Sequence, residues 1–225
     1  LDFIRQRRLD LSQISMVILD EADEMLKMGF QEDLELILAE TPKDKQTLLF
    51  SATMPKSIER IAKKYMHEPD RISVGARNSA NEDVDHAYVL VHRNDRYKAL
   101  TRLVDCLPDM YGIIFCRTRV ETTDVAAQLR ADGYPVDVLN GEVSQSQRER
   151  VMGQFRRGHL KILVATDVAA RGVDVHNLTH IINFNLPDEL ELYVHRSGRT
   201  GRAGKHGDAI TLVTKNENYR IRNLE

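Results

Sequence analysis

Short apolar runs separated by amphipathic stretches recur along the whole chain. The runs are Met16–Leu19, Thr47–Phe50, Ile72–Val74, Ala87–Val91, Gly112–Phe115, Val136–Leu139, Ile162–Ala165, Ile181–Phe184 and Ala209–Val213. Most are β-branched and end at polar or turn residues, which predicts buried strands. Between them, apolar residues return at helical spacing. Leu26, Phe30, Leu34, Ile37 and Leu38 form one stripe, and Val151, Met152 and Phe155 another. Strands alternating with helices predict an α/β fold with a mainly parallel sheet.

The alternation breaks once. His67 to Asp70 ends a helical stretch, and Gly75 to Asp85 is polar and aperiodic, which predicts an interdomain linker over 75–85. Residues 1–74 then offer three strands, a partial domain, and residues 86–225 offer six, a complete one. The chain begins at Leu1 rather than Met, and Asn216 to Glu225 reads as a helix that stops mid-pattern. Both features lead to the expectation of a piece of a longer protein.

Composition narrows the class without naming a function. Apolar residues make up 42% and charged residues 29% of the 225 positions, which is ordinary for a globular protein. No window reaches the ~18 consecutive apolar residues of a membrane span, and no secretory signal pattern is present. A reducing, cytoplasmic setting is the expectation. Cys106 and Cys116 read as reduced, buried small hydrophobes. The net charge of −2 does not advertise nucleic acid. A phosphate-binding surface must therefore be a local stripe of basic residues.

Four segments carry candidate chemistry. In Val17 to Asp23 an apolar strand delivers Asp20, Glu21 and Asp23 at its carboxyl end, where open α/β sheets bind ligands. A carboxylate there can hold Mg²⁺ on a nucleotide and a second can orient water. The same acids could simply favour the N-terminus of the next helix. In Leu48 to Pro55 a strand ends in Ser51, Ala52 and Thr53. Taken alone, these predict a helix cap. In Ile162 to Asp174 a strand runs into small residues, then Arg171, Gly172 and Asp174. Asp174 could accept hydrogen bonds from a ribose, or the segment could be a tight structural turn. In His195 to Gly204, Arg196, Arg199 and Arg202 are spaced by three among glycines. Guanidinium forks and backbone amides freed by glycine suit phosphate oxygens. A solvated basic loop ranks second.

Weaker signals complete the set. Asn140 to Arg148 opens a helix after a strand, a natural seat for a nucleic-acid phosphate. Arg117 to Arg119 lie at another strand end. Arg5, Gln6, Arg7 and Arg8 read as a solvated face, and no histidine pair has metal-ligand spacing.

In this order, the four segments resemble the DEAD-box RNA helicases, whose fold is a pair of RecA-like parallel sheets flanked by helices. Asp20 to Asp23 spell the family's name, Ser51 to Thr53 match its SAT motif, and Thr166–Asp174 and His195–Gly204 match its motifs five and six. The resemblance covers essentially the whole chain and looks closest to bacterial members. It implies the end of the family's ATP-binding domain over 1–74 and its complete second domain over 86–225. It implies ATP and Mg²⁺, with Asp20 near the metal through water and Glu21 placing the attacking water. Ser51, Thr53, Asp23 and His195 would couple the nucleotide state between domains. Asp174 would meet the ribose, and Arg199 and Arg202 would act as arginine fingers on the γ-phosphate. Gly141, Gln145, Arg148 and Thr166 would follow an RNA backbone, so recognition would be largely independent of sequence.

One departure stands out. The family's adenine-recognition motif and P-loop are not in these residues. The pattern G-x-x-x-x-G-K-[ST] has no instance, since Gly204-Lys205 is followed by His206. The expectation is an RNA-dependent ATPase and helicase as the full protein, with the piece itself catalytically incompetent. A non-catalytic RNA-binding module and a DNA-directed helicase are the competing readings. The DEAD tetrad with the His195–Gly204 segment disfavours the latter.

Overall fold

The computed structural model describes residues 1–73, 82–170, 175, 177–202 and 204–223. It divides into two compact units, Leu1–Arg77 and Asn78–Glu225. Among the described residues no helix is long and apolar enough to cross a membrane.

The first unit runs α1 (Asp2–Arg5), β1 (Met16–Leu19), α2 (Ala22–Lys27), α3 (Gln31–Ala39), β2 (Gln46–Leu49) and α4 (Lys56–Tyr65). β1 and β2 pair in parallel, Met16 opposite Gln46 through Leu19 opposite Leu49. Leu19, Ala22, Leu34, Leu38, Ile58 and Ile61 form the core under this pair. The single helical stripe expected from Leu26 to Leu38 is two helices. Gly29 between them has φ +84°, a conformation that L side chains rarely adopt. The expected strand at 72–74 is absent among its described residues. Ile72 and Ser73 belong to no strand and Ile72 is 85% exposed. Val74 lies outside the described residues. Among the described residues no strand lies alongside Ile72 and Ser73 to complete a ladder.

The second unit begins with β3 (Val84–Val91), a short 3₁₀ turn and α5 (Arg96–Asp105). It continues with β4 (Gly112–Phe115), α6 (Arg119–Ala131), β5 (Val136–Leu139), α7 (Gln145–Arg156), β6 (Ile162–Ala165) and α8 (Asp167–Ala170). It closes with β7 (His180–Asn183), α9 (Leu190–Ser197), β8 (Gly207–Thr214) and a 3₁₀ segment over Asn218–Asn223. The six strands form one sheet in the order β3-β8-β7-β4-β6-β5, every pair parallel. Val84 and Asp85, read from the sequence as the end of the linker, pair with Gly207 and Asp208. The rest of that linker, apart from Glu82 and Asp83, lies outside the described residues.

Both faces of this sheet are covered. Along β4 the side chains alternate: Ile114 and Cys116 join Leu100, Val104, Val125 and Leu129 of α5 and α6. Ile113 and Phe115 join Val151, Met152 and Phe155 of α7. Gly112 lets β4 meet β7 closely, since a Cβ there would stand 2.0 Å from the His180 carbonyl oxygen. From β4 the chain turns to one side to lay down β5 and β6, then crosses to the other for β7 and β8. That reversal makes the carboxyl ends of β4, β6 and β7 the expected ligand crevice.

Candidate functional site

In the first unit, β1 and β2 deliver two acidic and hydroxyl segments to neighbouring strand ends. The pairing continues past the strands: the Phe50 amide donates to the Leu19 carbonyl at 2.7 Å, and the Ala22 amide to the Phe50 carbonyl at 3.1 Å. Glu21 adopts φ 50°, ψ 42° before α2, a left-handed turn uncommon outside glycine. Asp20 is exposed, and one of its oxygens accepts from the Glu21 amide at 2.9 Å. Asp23 is only 2% exposed. Its Oδ2 accepts from the Thr53 amide at 2.8 Å and the Thr53 hydroxyl at 2.7 Å. The Ser51 hydroxyl accepts from the Asp23 amide at 3.3 Å and donates to the Thr53 carbonyl at 2.6 Å. Burial pushes the Asp23 carboxyl up, but the hydrogen bonds from Thr53, Ser51 and Glu24 outweigh it and hold the group below its ordinary range.

The cap expected of Ser51 and Thr53 is therefore not what they form. α4 begins after Pro55 with no side-chain cap, and both hydroxyls are engaged in the Asp23 network. The acids of the first segment also do more than favour a helix end, because Asp23 reaches across to the second strand's loop.

In the second unit the candidate residues gather at the carboxyl ends of the strands. Asn140, just past β5, is buried and donates to Thr122, Thr123 and the Arg119 carbonyl. Exposed Gly141 follows, and α7 opens with a capping box between Ser144 and Gln147. Gln145 is exposed and donates to Glu149 at 3.0 Å. Arg148 is half-buried and its guanidinium donates to the Ala169 carbonyl at 2.7 Å. Thr166, half-buried at the end of β6, donates its amide to the Leu139 carbonyl at 3.3 Å. Of the four residues assigned to an RNA backbone, Gly141 and Thr166 thus follow two adjacent strands, and Gln145 and Arg148 lie in the first turn of α7. Asp174, assigned to the ribose, lies outside the described residues.

His195 and Arg196 lie in the last turn of α9, with Arg199 and Arg202 in the loop beyond. Arg199 is half-buried, and its amide donates to the Arg196 carbonyl at 3.0 Å. Arg202 is exposed and its Nε donates to the Gly198 carbonyl at 2.8 Å. Arg196 differs from both. It is 4% exposed and grips Asp167 with two bonds, Nε to Oδ1 at 2.6 Å and Nη2 to Oδ2 at 2.8 Å. Its Nη1 donates to Asn183 Oδ1 at 2.9 Å and the Asn185 carbonyl at 3.2 Å. Its plane lies 5.0 Å from the Phe115 ring centre.

Sequence reasoning missed this hub. Read as one of three equivalent cations, Arg196 is instead a buried structural fork tying α9 to the ends of β4, β6 and β7. A usable signal existed: polar Asn183 and Asn185 interrupt an otherwise apolar strand end, and buried polar groups require partners. Cysteine expectations divide. Cys116 is buried, its thiol pushed well up by burial, but Cys106 is exposed. Cys106 follows α5 two residues after buried Val104, which turns it away from the core face.

Among the described residues no group of three or more His, Cys, Asp or Glu could hold a metal ion. Exposed Asp20 at a strand end nevertheless fits Mg²⁺, which keeps most of its waters and takes one or two carboxylates plus substrate phosphates.

Comparison with known proteins gives a consistent result. Residues 1–61 match the family model described as DEAD/DEAH box helicase, and residues 95–204 match that of the helicase conserved C-terminal domain. The DEAD-box ATP-dependent RNA helicase CshA of Geobacillus kaustophilus is 45% identical over the whole chain, which covers 48% of that protein. CshA of Bacillus subtilis is 43% identical over the whole chain, covering 46%. The chain thus spans about half the length of the curated relatives it matches. Among solved structures, a DEAD box protein from Methanococcus jannaschii matches at 45% identity and TM-score 0.61, over 100% of this chain and 61% of that one. Dbp5 of S. cerevisiae, bound to RNA and ADP BeF3, matches at 29% identity and TM-score 0.87, over 99% of this chain and 59% of that one.

Proposed function

The chain belongs to the DEAD-box helicase family, and we propose on that premise that the protein it comes from is an ATP-dependent RNA helicase working in the cytoplasm. In this reading ATP hydrolysis is coupled to RNA binding and local strand separation. The observation that carries it is the Asp23 network. Two hydroxyl residues, 28 and 30 positions away in the chain, converge on buried Asp23, Ser51 at its amide and Thr53 at its carboxylate, beside exposed Asp20 and half-buried Glu21. A bare structural strand pair has no use for that arrangement.

Asp20 would hold Mg²⁺ through water, and the ion would neutralise charge on the nucleotide phosphates. Glu21 orients the attacking water. Asp23, Ser51 and Thr53 act as one hydrogen-bonded unit that reports nucleotide state, with His195 as their counterpart in the second unit. Asp174 binds the ribose, and Arg199 and Arg202 stabilise charge developing on the γ-phosphate. RNA runs over Gly141, Gln145, Arg148 and Thr166, read by phosphate and sugar rather than base. The 225 residues contain no P-loop pattern. As an isolated polypeptide they are expected not to hydrolyse ATP, because nothing cradles the phosphates on which these groups act.

The test is RNA-stimulated phosphate release by the full-length protein. Stimulation by RNA but not by DNA of equal length, abolished by Glu21→Gln, is the expected result. Arg199→Ala and Arg202→Ala should each lower turnover by about 10³–10⁵, with nucleotide affinity far less changed. Equal stimulation by DNA would favour the DNA-directed reading. No stimulation by either would leave a binding module.

A further inference from the structure

Thr166 and Arg148 on one side and Arg199 on the other are joined by a continuous, largely half-buried chain of hydrogen bonds through α8. The Arg148 guanidinium holds the Ala169 carbonyl. The Ala170 amide donates to the Thr166 carbonyl at 3.0 Å, so α8 turns directly off Thr166. Asp167, the first residue of α8, is gripped by both arms of the Arg196 fork. The Arg196 carbonyl in turn receives the Arg199 amide. Arg196 cannot drift within this path, because Asn183, the Asn185 carbonyl and the Phe115 ring fix it from the sheet side. Asn183 is itself held by Thr211 of β8 at 3.1 Å.

We infer that the Asp167–Arg196 pair is the strut through which RNA on the Thr166 side and nucleotide on the Arg199 side influence each other. Both are positioning residues: neither is placed on RNA or nucleotide, and each borders a residue that is. The inference rests on the helicase reading above and assigns its coupling to one contact. Physical continuity alone does not establish coupling; a coupling free energy does. A bidentate fork suits the task because it fixes orientation as well as distance, so a tilt of α8 is passed to α9 rather than absorbed.

The experiment uses the full-length protein as wild type, Asp167→Asn and Arg196→Lys. The affinity for a labelled single-stranded RNA is measured with and without a non-hydrolysable ATP analogue, alongside thermal melting. In the wild type the analogue should tighten RNA binding by a ratio within about 5–150-fold, the usual range of coupling. Asp167→Asn keeps an acceptor but loses the charge, and Arg196→Lys keeps the charge but loses the fork. Both should bring the ratio within about twofold of one, while RNA affinity without nucleotide changes no more than about threefold. A merely structural role would weaken both affinities together and leave the ratio intact, and that result overturns the inference. Loss of the folded state in both variants overturns it as well. If the wild type itself shows no nucleotide-dependent tightening, the helicase reading falls and takes the strut with it. A wild-type ratio retained by the variants sinks the strut alone.

Discussion

β1 and β4 are equally apolar four-residue strands, yet one is largely exposed and the other wholly buried. In β1, Met16 and Ile18 are 46% and 57% exposed, and Phe50 just past β2 is 54% exposed. In β4 all four residues are buried, with Ile113 and Ile114 at 0%. The difference is not in the strands but in what covers them. β4 has a strand on each side and helices on both faces, whereas β1 has one partner strand and one covered face. A continuous apolar run predicts a strand suited to double-sided burial and says nothing about whether both layers are present.

The largest expected effect of this contrast is on local stability. Backbone amides of Met16–Leu19 and Gln46–Leu49 should exchange with solvent about 10³ times faster, or more, than those of β4, β6 and β7 in the same 225-residue polypeptide. Central strands of the six-stranded sheet open only when their unit unfolds, while a two-stranded pair can open by local fluctuation. Exchange measured residue by residue checks this. Protection within tenfold across the two sheets would erase the comparison.

Much of this architecture was legible in the sequence. Eight of the nine apolar runs are strands, and strand–helix alternation gave the parallel sheets. The family was legible too, because the order of the four segments identifies it. What stayed hidden were partnerships across sequence distance. Nothing local distinguishes Arg196 from Arg199 and Arg202, since only the fold brings Asp167 to its fork. Likewise Ser51 and Thr53 look like caps until Asp23, 28 and 30 residues earlier, engages Ser51 through its amide and Thr53 through its carboxylate. The run at Ile72 and Ser73 is the same lesson inverted: the residues suit a strand, and among the described residues no strand pairs with them.

Each unit contains a buried polar network, and these give the second contrast. Arg196→Ala removes one partner of a buried ion pair and also strands Asn183, which should cost the second unit about 3–5 kcal/mol. Thr53→Val removes a single hydroxyl from a carboxylate that keeps its other donors, and should cost the first unit about 1–3 kcal/mol. Denaturant melts of the 225-residue polypeptide, followed by probes placed in each unit, measure both. Equal losses would mean that the Asp23 network holds its unit as firmly as the Arg196 fork holds the other.

The smallest effect separates the two units at alkaline pH. Tyr134 donates its hydroxyl proton to Asp105 at 2.6 Å, and Tyr97 donates to Asp132 at 2.6 Å, so that α5 and the end of α6 are joined twice. The hydrogen bond to Asp105, then burial and the nearby carboxylates, push the Tyr134 phenol from 10.0 up to about 12. Burial and Asp132 push Tyr97 up as well. A phenol whose folded-state value is raised holds its proton more tightly when folded. Below pH 10 the folded and unfolded chains are protonated alike, and the contribution is fully present. As pH rises from 10 towards 12 the unfolded chain sheds the proton first, and stability is lost progressively. The second unit of the 225-residue polypeptide should therefore weaken over that interval, and Tyr134→Phe should flatten the slope while costing little at neutral pH. The measurement is the denaturation midpoint of each unit between pH 9 and 12, with and without the substitution. Parallel wild-type and variant curves would show that the Tyr134–Asp105 bond does not link proton binding to folding.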